Sequence, residues 1–154
     1  MLVDFDNLSE DARIWIFPSD RPLTDNQESY ISSEISNHLR HWTAHSNPLK
    51  AGFKILENHF IIIALDESIN IATGCSIDTL QHKIEEIEKA LSISLLNRLN
   101  VFCLIKDKLS CVSLDQLVSV ANLDTFFYDL TIQKKSDLKL YLKPIRNGWC
   151  KVYF

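Results

Sequence analysis

The sequence predicts a mixed α+β fold, and three observations support this prediction. Residues 60–65 are apolar at every position, which is typical of a strand buried on both faces. Residues 31–42 and 77–91 carry apolar side chains at three- and four-residue spacing, which is the period of an amphipathic helix. The 154 residues are 46% hydrophobic and include only 3 Gly and 4 Pro, a composition that favours a packed core over disorder.

The first strand and the first helix have clear boundary signals. Residues 13–17 alternate as a strand does, and Pro18 ends them. Thr24 and Gln27 have the spacing of a capping box at a helix N-terminus. We expect this helix to end at about His45, because the following Asn-Pro pair disfavours helical backbone.

Three further strands and a second helix are predicted between residues 51 and 105. Residues 51–57 and 59–66 are predicted as two strands of a hairpin, and Ser76 as the N-cap of the second helix. Residues 99–105 form a further strand. The order strand, helix, strand, strand, helix, strand is that of a ferredoxin-like βαββαβ core, which we assign to residues 13–105.

The rest of the chain is predicted to belong to the same domain. Residues 106–154 form a C-terminal β-rich extension of a single domain over residues 1–154, since no linker of Gly, Ser or Pro separates the two parts. Within this extension, Ser113 and Gln116 have the spacing of another capping box. Residues 1–11 are an acidic lead-in that we expect to be mobile.

Composition excludes several classes of protein. A net charge of −4 and a pI near 5.7 disfavour nucleic acid as a partner. The longest apolar run, residues 60–65, is far shorter than the ~20 residues of a membrane helix, so no membrane partner is expected. The N-terminus lacks the features of a signal peptide, and the cytoplasm is therefore the expected location. No cofactor is predicted.

The chemically most distinctive segment is the turn before the second helix. It contains one of only three glycines, followed by a thiol next to the predicted N-cap. Backbone amides at a helix N-terminus bind anions, and the same positive end favours a thiolate. We therefore predict a ligand-binding site formed by Thr73, Gly74, Cys75 and Ser76.

The predicted topology places a second reactive side chain at the same end of the sheet. His45 ends the first helix there, and Cys75 lies in the turn between the third strand and the second helix. Asp78 in the first helical turn, or Asp66 at the end of the strand, could orient the imidazole. A thiol, an imidazole and a carboxylate form the arrangement used in thiol catalysis, so Cys75, His45 and Asp78 are the candidate catalytic residues.

Three histidines of the first helix also fit a metal hypothesis. His38, His41 and His45 fall on one helical face, and Cys75 would be a fourth ligand. The spacing matches no zinc motif, however, and surface histidines on a helix explain it equally well. We therefore predict no metal site.

Several short motifs resemble those of a family of small uncharacterised bacterial proteins. They are W-I at residues 15–16, S-D-R-P-L at residues 19–23, W-T-A-H at residues 42–45 and G-C-S-I-D at residues 74–78. The resemblance covers most of residues 13–105 and implies no established activity. Some members carry the automatic label "ABC transporter ATPase", but this chain has no P-loop motif, and we reject ATP hydrolysis. Ser46 stands where the family often has glycine.

Three functional hypotheses follow. The first is a module that binds a small ligand or anion at residues 73–78. The second is a thiol-dependent enzyme or redox sensor that uses Cys75 with His45. The third is an assembly protein that pairs through exposed sheet edges as a homo-oligomer. The first of these makes the chain a binding protein and not an enzyme.

Overall fold

The computed structural model describes residues 1–154 and divides them into two compact units. The first unit is Met1–Leu96 with Gln133–Ser136, and the second is Asn97–Ile132 with Asp137–Phe154. Helices and antiparallel sheets occur together, which confirms the mixed α+β class. The single domain over residues 1–154 remains a prediction. None of the helices combines the length and apolar character needed to cross a membrane.

The first unit is built around a three-stranded antiparallel sheet. Its elements are β1 (Arg13–Pro18), α1 (Asp25–Arg40), β2 (Thr43–Ala44), β3 (Asn47–Pro48), β4 (Lys50–Leu56), β5 (Phe60–Asp66) and α2 (Gly74–Leu91). The strand order is β1-β5-β4, so β5 lies in the centre. Every residue from Phe60 to Leu65 is 0% exposed, which confirms the prediction of a central strand buried on both faces.

The two long helices share one core with the central strand. Each fully buried Ile or Leu side chain contributes about 1.5–3 kcal/mol to folding, so this core dominates the stability of the unit. α1 and α2 also pack directly against each other. The core contains three buried side chains from each of the three elements: Ile31, Ile35 and Leu39 of α1, Leu80, Ile84 and Ile87 of α2, and Ile61, Ile63 and Leu65 of β5.

The first eleven residues are packed against the unit, and the prediction of a mobile lead-in for residues 1–11 is corrected accordingly. The N-terminal ammonium of Met1 donates hydrogen bonds to the carbonyl oxygens of Leu39 and Leu49, at 3.2 and 2.7 Å. Phe5 and Leu8 are 6% and 4% exposed. The acidic character of this segment concealed two apolar side chains whose burial fixes it in place.

A buried lysine holds the same segment. The Lys135 Nζ donates hydrogen bonds to the carbonyl oxygens of Phe5, Asp6 and Leu8, at 3.0, 3.3 and 2.7 Å. These carbonyls belong to or follow a single 3₁₀ turn, Phe5–Asn7, in which the Phe5 carbonyl also accepts from the Leu8 N–H. The ammonium therefore satisfies backbone groups that are distant in sequence.

The second unit contains a four-stranded sheet of its own. Its elements are β6 (Asn100–Ile105), β7 (Lys108–Ser113), α3 (Leu117–Val120), β8 (Phe126–Tyr128) and β9 (Leu142–Pro144), in the order β7-β6-β8-β9. Its core includes Cys103, Phe127 and Cys150. Ser113 precedes a 3₁₀ turn, but its side chain makes no capping hydrogen bond, so the capping box predicted there is wrong.

The structure does not confirm the ferredoxin-like core over residues 13–105. The first three strands follow the expected arrangement, but β6 pairs with β7 and β8 and not with β1. Part of the β1 edge is already occupied, because Arg13 bridges Lys134 and the Ile14 N–H donates to the Gln133 carbonyl. β6 forms a local hairpin with β7, which costs less loop-closure entropy than pairing with a distant strand.

Two glycines provide a matched test of this packing. A Cβ at Gly52 would lie 2.6 Å from the Val3 carbonyl oxygen, whereas a Cβ at Gly74 meets nothing within 4 Å. We expect Gly52→Ala to lower the free energy of unfolding by about 1–3 kcal/mol, because backbone atoms must move. Gly74→Ala should raise it by about 0.5–1 kcal/mol, because alanine restricts the unfolded chain.

Urea denaturation of the two variants beside the native chain measures both effects. Equal stability of the Gly52→Ala variant and the native protein would contradict the close packing of residues 3–5 on β4.

Candidate functional site

A reciprocal pair of hydrogen bonds fixes the start of α2. The Ser76 N–H donates to the Thr73 Oγ1 at 3.1 Å, and the Thr73 N–H donates to the Ser76 Oγ at 2.6 Å. This capping box makes Thr73 the N-cap, so the prediction of Ser76 as N-cap is wrong by three positions. Thr73 has the extended backbone of an N-cap residue, whereas Ser76 already lies within the helix.

This correction moves Cys75 into the first turn of the helix. The amides of Gly74 and Cys75 precede any possible intrahelical acceptor, as at every helix start. Cys75 and Asp78 are both exposed. The turn thus presents two backbone N–H groups and a thiol at the positive end of an 18-residue helix.

His45 does not end the first helix, which is a second correction. α1 ends at Arg40, and residues 43–48 form a small hairpin with β2 paired to β3. His45 and Ser46 make its two-residue turn with φ values of 49° and 65°. Both values are left-handed, as in the type I′ turns that join strands most closely. Ser46 accepts this conformation without being glycine.

A buried indole connects this hairpin to the start of α2. The Trp42 Nε1 donates a 2.8 Å hydrogen bond to the Ser76 carbonyl oxygen, and Trp42 is only 2% exposed. β2 also packs against α2. The bond joins a residue three positions before His45 to the neighbour of Cys75. His45, Cys75 and Asp78 are exposed, and no hydrogen bond or ion pair joins them. Their catalytic grouping therefore remains a prediction.

The structure has a groove beside this bond that the sequence analysis did not identify. Its volume is about 320 Å³, the size of a small ligand. The lining residues come from the last turn of α1, from the link that joins it to β2, from β2 and from α2: Asn37, His38, His41, Trp42, Thr43, Thr79 and Lys83. We refer to this surface as the His38 groove.

Among the residues that line the groove, His38 has a buried polar atom without a hydrogen bond. Its Nε2 is buried and has no hydrogen-bond partner. Its ring lies 6.0 Å from the Trp42 ring, tilted by 44°. Burial lowers the pKa of His38, and the charge of Lys83 lowers it further, while Glu86 acts in the opposite direction. A pKa below the usual 6.5 of histidine keeps the imidazole neutral at pH 7.

Lys83 is the only lining residue with a permanent charge. Its Nζ lies 2.9 Å from a carboxylate oxygen of Glu86 and 3.6 Å from one of Glu34. The hydrogen bond to Glu86 and the charge of Glu34 raise the pKa of Lys83, so the ammonium stays charged. The Glu86 side chain is 65% exposed and that of Lys83 only 18%, so the carboxylate end of this ion pair lies in solvent.

The second helix, α2, contributes to both the groove and the turn at residues 73–78. Cys75, Thr79 and Lys83 follow at four-residue intervals on α2, so they lie along one face of the helix. The Thr79 Oγ1 donates to the Ser76 carbonyl oxygen at 2.8 Å, beside the bond from Trp42. Its lone pairs therefore remain available to a donor in the groove.

The four side chains considered as metal ligands, those of His38, His41, His45 and Cys75, do not form a metal-binding cluster in the structure. No group of three or more His, Cys, Asp or Glu side chains has the arrangement needed to hold a metal ion. The Nδ1 of His41 lies 3.0 Å from the Asn37 carbonyl oxygen of its own helix, which commits that nitrogen to donating. The histidine spacing in the sequence signalled this region, but only the approach of Lys83 and Thr79 from α2 makes it a groove.

Comparisons with known proteins do not assign this chain to a family. No family, no curated protein and no solved structure matches it. The resemblance to small bacterial proteins therefore remains a hypothesis.

The bond between Trp42 and Ser76 can be tested by removing the indole N–H. We expect Trp42→Phe to lower the free energy of unfolding by about 1–3 kcal/mol, because a buried hydrogen bond and apolar area are lost together. Trp15→Phe is the matched control, since Trp15 contacts the Trp42 ring edge to face and leaves the bond to Ser76 in place. Urea denaturation compares the two. Equal losses in both variants would show that the bond itself contributes little.

Proposed function

We propose that this chain is a small-ligand-binding module, and that its ligand occupies the His38 groove and extends toward the turn at residues 73–78. The observation that carries this proposal is His38, a residue that lines the groove and whose buried Nε2 has no hydrogen-bond partner.

An unpaired buried nitrogen is costly. Leaving such a polar atom without a partner costs about 1–3 kcal/mol, and nearly all buried polar atoms in folded proteins are paired. His38 does not contribute to the apolar core of α1, whose buried residues are Ile31, Ile35 and Leu39. A ligand atom within hydrogen-bond distance of Nε2 would remove this cost, and the energy recovered would appear as affinity.

The other lining groups favour a small polar ligand. Lys83 offers an ammonium, Thr43 and Thr79 offer hydroxyls, and Asn37 offers an amide. These groups come from three different elements, and convergence of a few polar groups in a concave surface is typical of ligand sites. Next to them, Gly74 and Cys75 add backbone N–H groups at the start of α2, where a negatively charged part of a ligand is stabilised.

Pairing through the edges of the first sheet is less well supported. Residues 1–3 lie along β4, where the Val3 N–H donates to the Ala51 carbonyl at 2.8 Å. The other edge, at β1, is bridged by Lys134 at Arg13. Covered edges do not template the addition of another strand.

A fragment screen monitored by NMR tests the proposal. We expect at least one small polar fragment to shift the imidazole signals of His38 and the methyl signal of Thr79 in a saturable manner. Thr43→Tyr should abolish this binding, because an aromatic side chain at this exposed strand position extends into the groove and is well tolerated in β structure.

Asn47→Tyr is the matched control, because Asn47 is exposed on the same hairpin but does not line the groove. It should bind as the native chain does. A screen in which no fragment shifts the groove signals, or in which Thr43→Tyr binds as well as Asn47→Tyr, would refute the proposal.

The exposure of Cys75 favours a second candidate function, thiol-dependent chemistry with His45 as the base. Iodoacetamide should alkylate Cys75 in the native protein and leave Cys103 and Cys150 unmodified. Burial raises the pKa of the Cys103 thiol to about 12 and also raises that of Cys150. Mass spectrometry after denaturation identifies each modified thiol.

His45→Ala separates a thiol site from an exposed but inert thiol. A slower alkylation of Cys75 at about pH 7 in this variant would support a thiol–imidazole pair. An unchanged rate would leave Cys75 as a surface residue of the ligand-binding module.

A further inference from the structure

We infer that the ligand of the His38 groove is a small oxyanion, a carboxylate or a phosphate-type group, and that it binds together with a proton on His38. This inference rests on the proposed function and adds the chemical class of the ligand and its dependence on pH.

The charges of the groove favour an anion. Its lining contains the Lys83 ammonium, two imidazoles, two hydroxyls and an amide, but no carboxylate. The two carboxylates that pair with Lys83 lie outside the lining. Because Glu86 is 65% exposed, it can turn into solvent when another anion reaches the ammonium. An oxyanion in the groove would then replace an exposed ion pair by a less exposed one.

The buried nitrogen supplies the second contact. Nε2 is covered in the free protein, so the imidazole must turn toward the groove to reach a ligand. In its protonated form it then donates to one oxygen of an oxyanion, while another oxygen contacts Lys83. Charge-assisted hydrogen bonds of this kind are about twice as strong as neutral ones. A neutral ligand would satisfy Nε2 but would leave the ammonium in its existing ion pairs.

The surroundings of His38 explain why a proton should accompany the anion. From α2, Lys83 opposes its protonation and Glu86 favours it, and His82 lies beside Glu86. On α1, Glu34 pairs with Lys83, and His41 donates to its own helix. β2 adds only the uncharged Thr43 to the lining. Burial is the larger cause of the lowered pKa of His38, and the charge of Lys83 is the second. A negative charge placed between the two side chains stabilises the imidazolium against both, so the imidazole takes up a proton on binding.

Linkage then fixes the direction of the pH effect. If the anion-bound protein holds His38 protonated and the free protein does not, affinity increases as the pH falls. The increase is up to about tenfold per pH unit between the two pKa values of His38. Without proton uptake, the affinity for an anion of constant charge would not change with pH as His38 is protonated.

The experiment titrates the imidazole signals of His38 by NMR between about pH 5 and pH 8, at constant ionic strength. Acetate is the carboxylate probe, and sulfate is the tetrahedral probe whose charge does not change in this range. Chloride is the reference. We expect one of the two oxyanions to raise the pKa of His38 in a saturable manner and to bind more tightly at about pH 6 than at pH 8.

Two variants separate the contributions. Binding to both variants is followed by the methyl signal of Thr79, because His38→Gln has no imidazole to observe at this position. His38→Gln should keep an anion affinity that no longer increases toward low pH, and Lys83→Met should bind the anion at least tenfold more weakly. His82→Gln is the matched control, because His82 is an exposed imidazole on α2 outside the lining, and it should behave as the native chain does.

The possible outcomes test oxyanion binding and proton uptake separately from the proposed small-ligand-binding function. A response to acetate alone identifies a carboxylate ligand, a response to sulfate alone identifies a phosphate-type ligand, and a response to both supports oxyanions in general. Uncharged fragments that shift the groove signals while both oxyanions fail would overturn the inference and leave the binding module intact. An anion affinity with the same pH dependence in His38→Gln would overturn the proton uptake. If no probe or fragment reaches the groove, the proposed function fails as well.

Discussion

Burial of β5 on both faces is the constraint on which the first unit depends. Ile61, Ile63 and Leu65 face the core shared with the helices, whereas the intervening residues point to the other face and are equally buried. A strand that is apolar at every position must be covered on both sides. On the side away from the helices, residues 3–5 lie over Gly52 of β4, and Lys135 holds this segment through its backbone carbonyls. The N-terminal segment is therefore part of the core architecture.

The helical side of the sheet produces the candidate site. α1 stops at Arg40, and the chain turns back through a hairpin that brings Trp42 to the first turn of α2. The indole is buried in the core that contains side chains of both helices, and it donates to the Ser76 carbonyl. The groove opens along this junction, where Lys83 of α2 faces His38 of α1. Trp42 therefore both forms the hydrogen bond to Ser76 and lines the groove.

Sequence patterns predicted much of this fold because they are local. The periodicity of α1, the capping box at Thr24 and Gln27, the β4–β5 hairpin and the central position of β5 all follow from neighbouring residues. Errors arose where competing signals were close in strength. Thr73 and Ser76 are both residue types that favour the N-cap position, and the structure decides for Thr73 because the helical backbone begins at Gly74. The pairing of strand 100–105 with β7 and β8 was not predicted, because the occupied edge of β1 cannot be recognised from local sequence.

The features of the candidate site likewise include some that were predictable from local sequence and others that depend on tertiary structure. By itself, the sequence determined that a thiol and a helix start occur together at residues 73–78, because these features are adjacent in the chain. It also marked the histidines of α1, but it assigned them to a metal or to the surface. Only the tertiary structure decided that His38 faces Lys83 across a groove and that its Nε2 is buried without a partner. The physical reason is that desolvation and the field of a distant charge depend on what packs against a side chain, and residues 38 and 83 meet only after two helices have packed on one sheet.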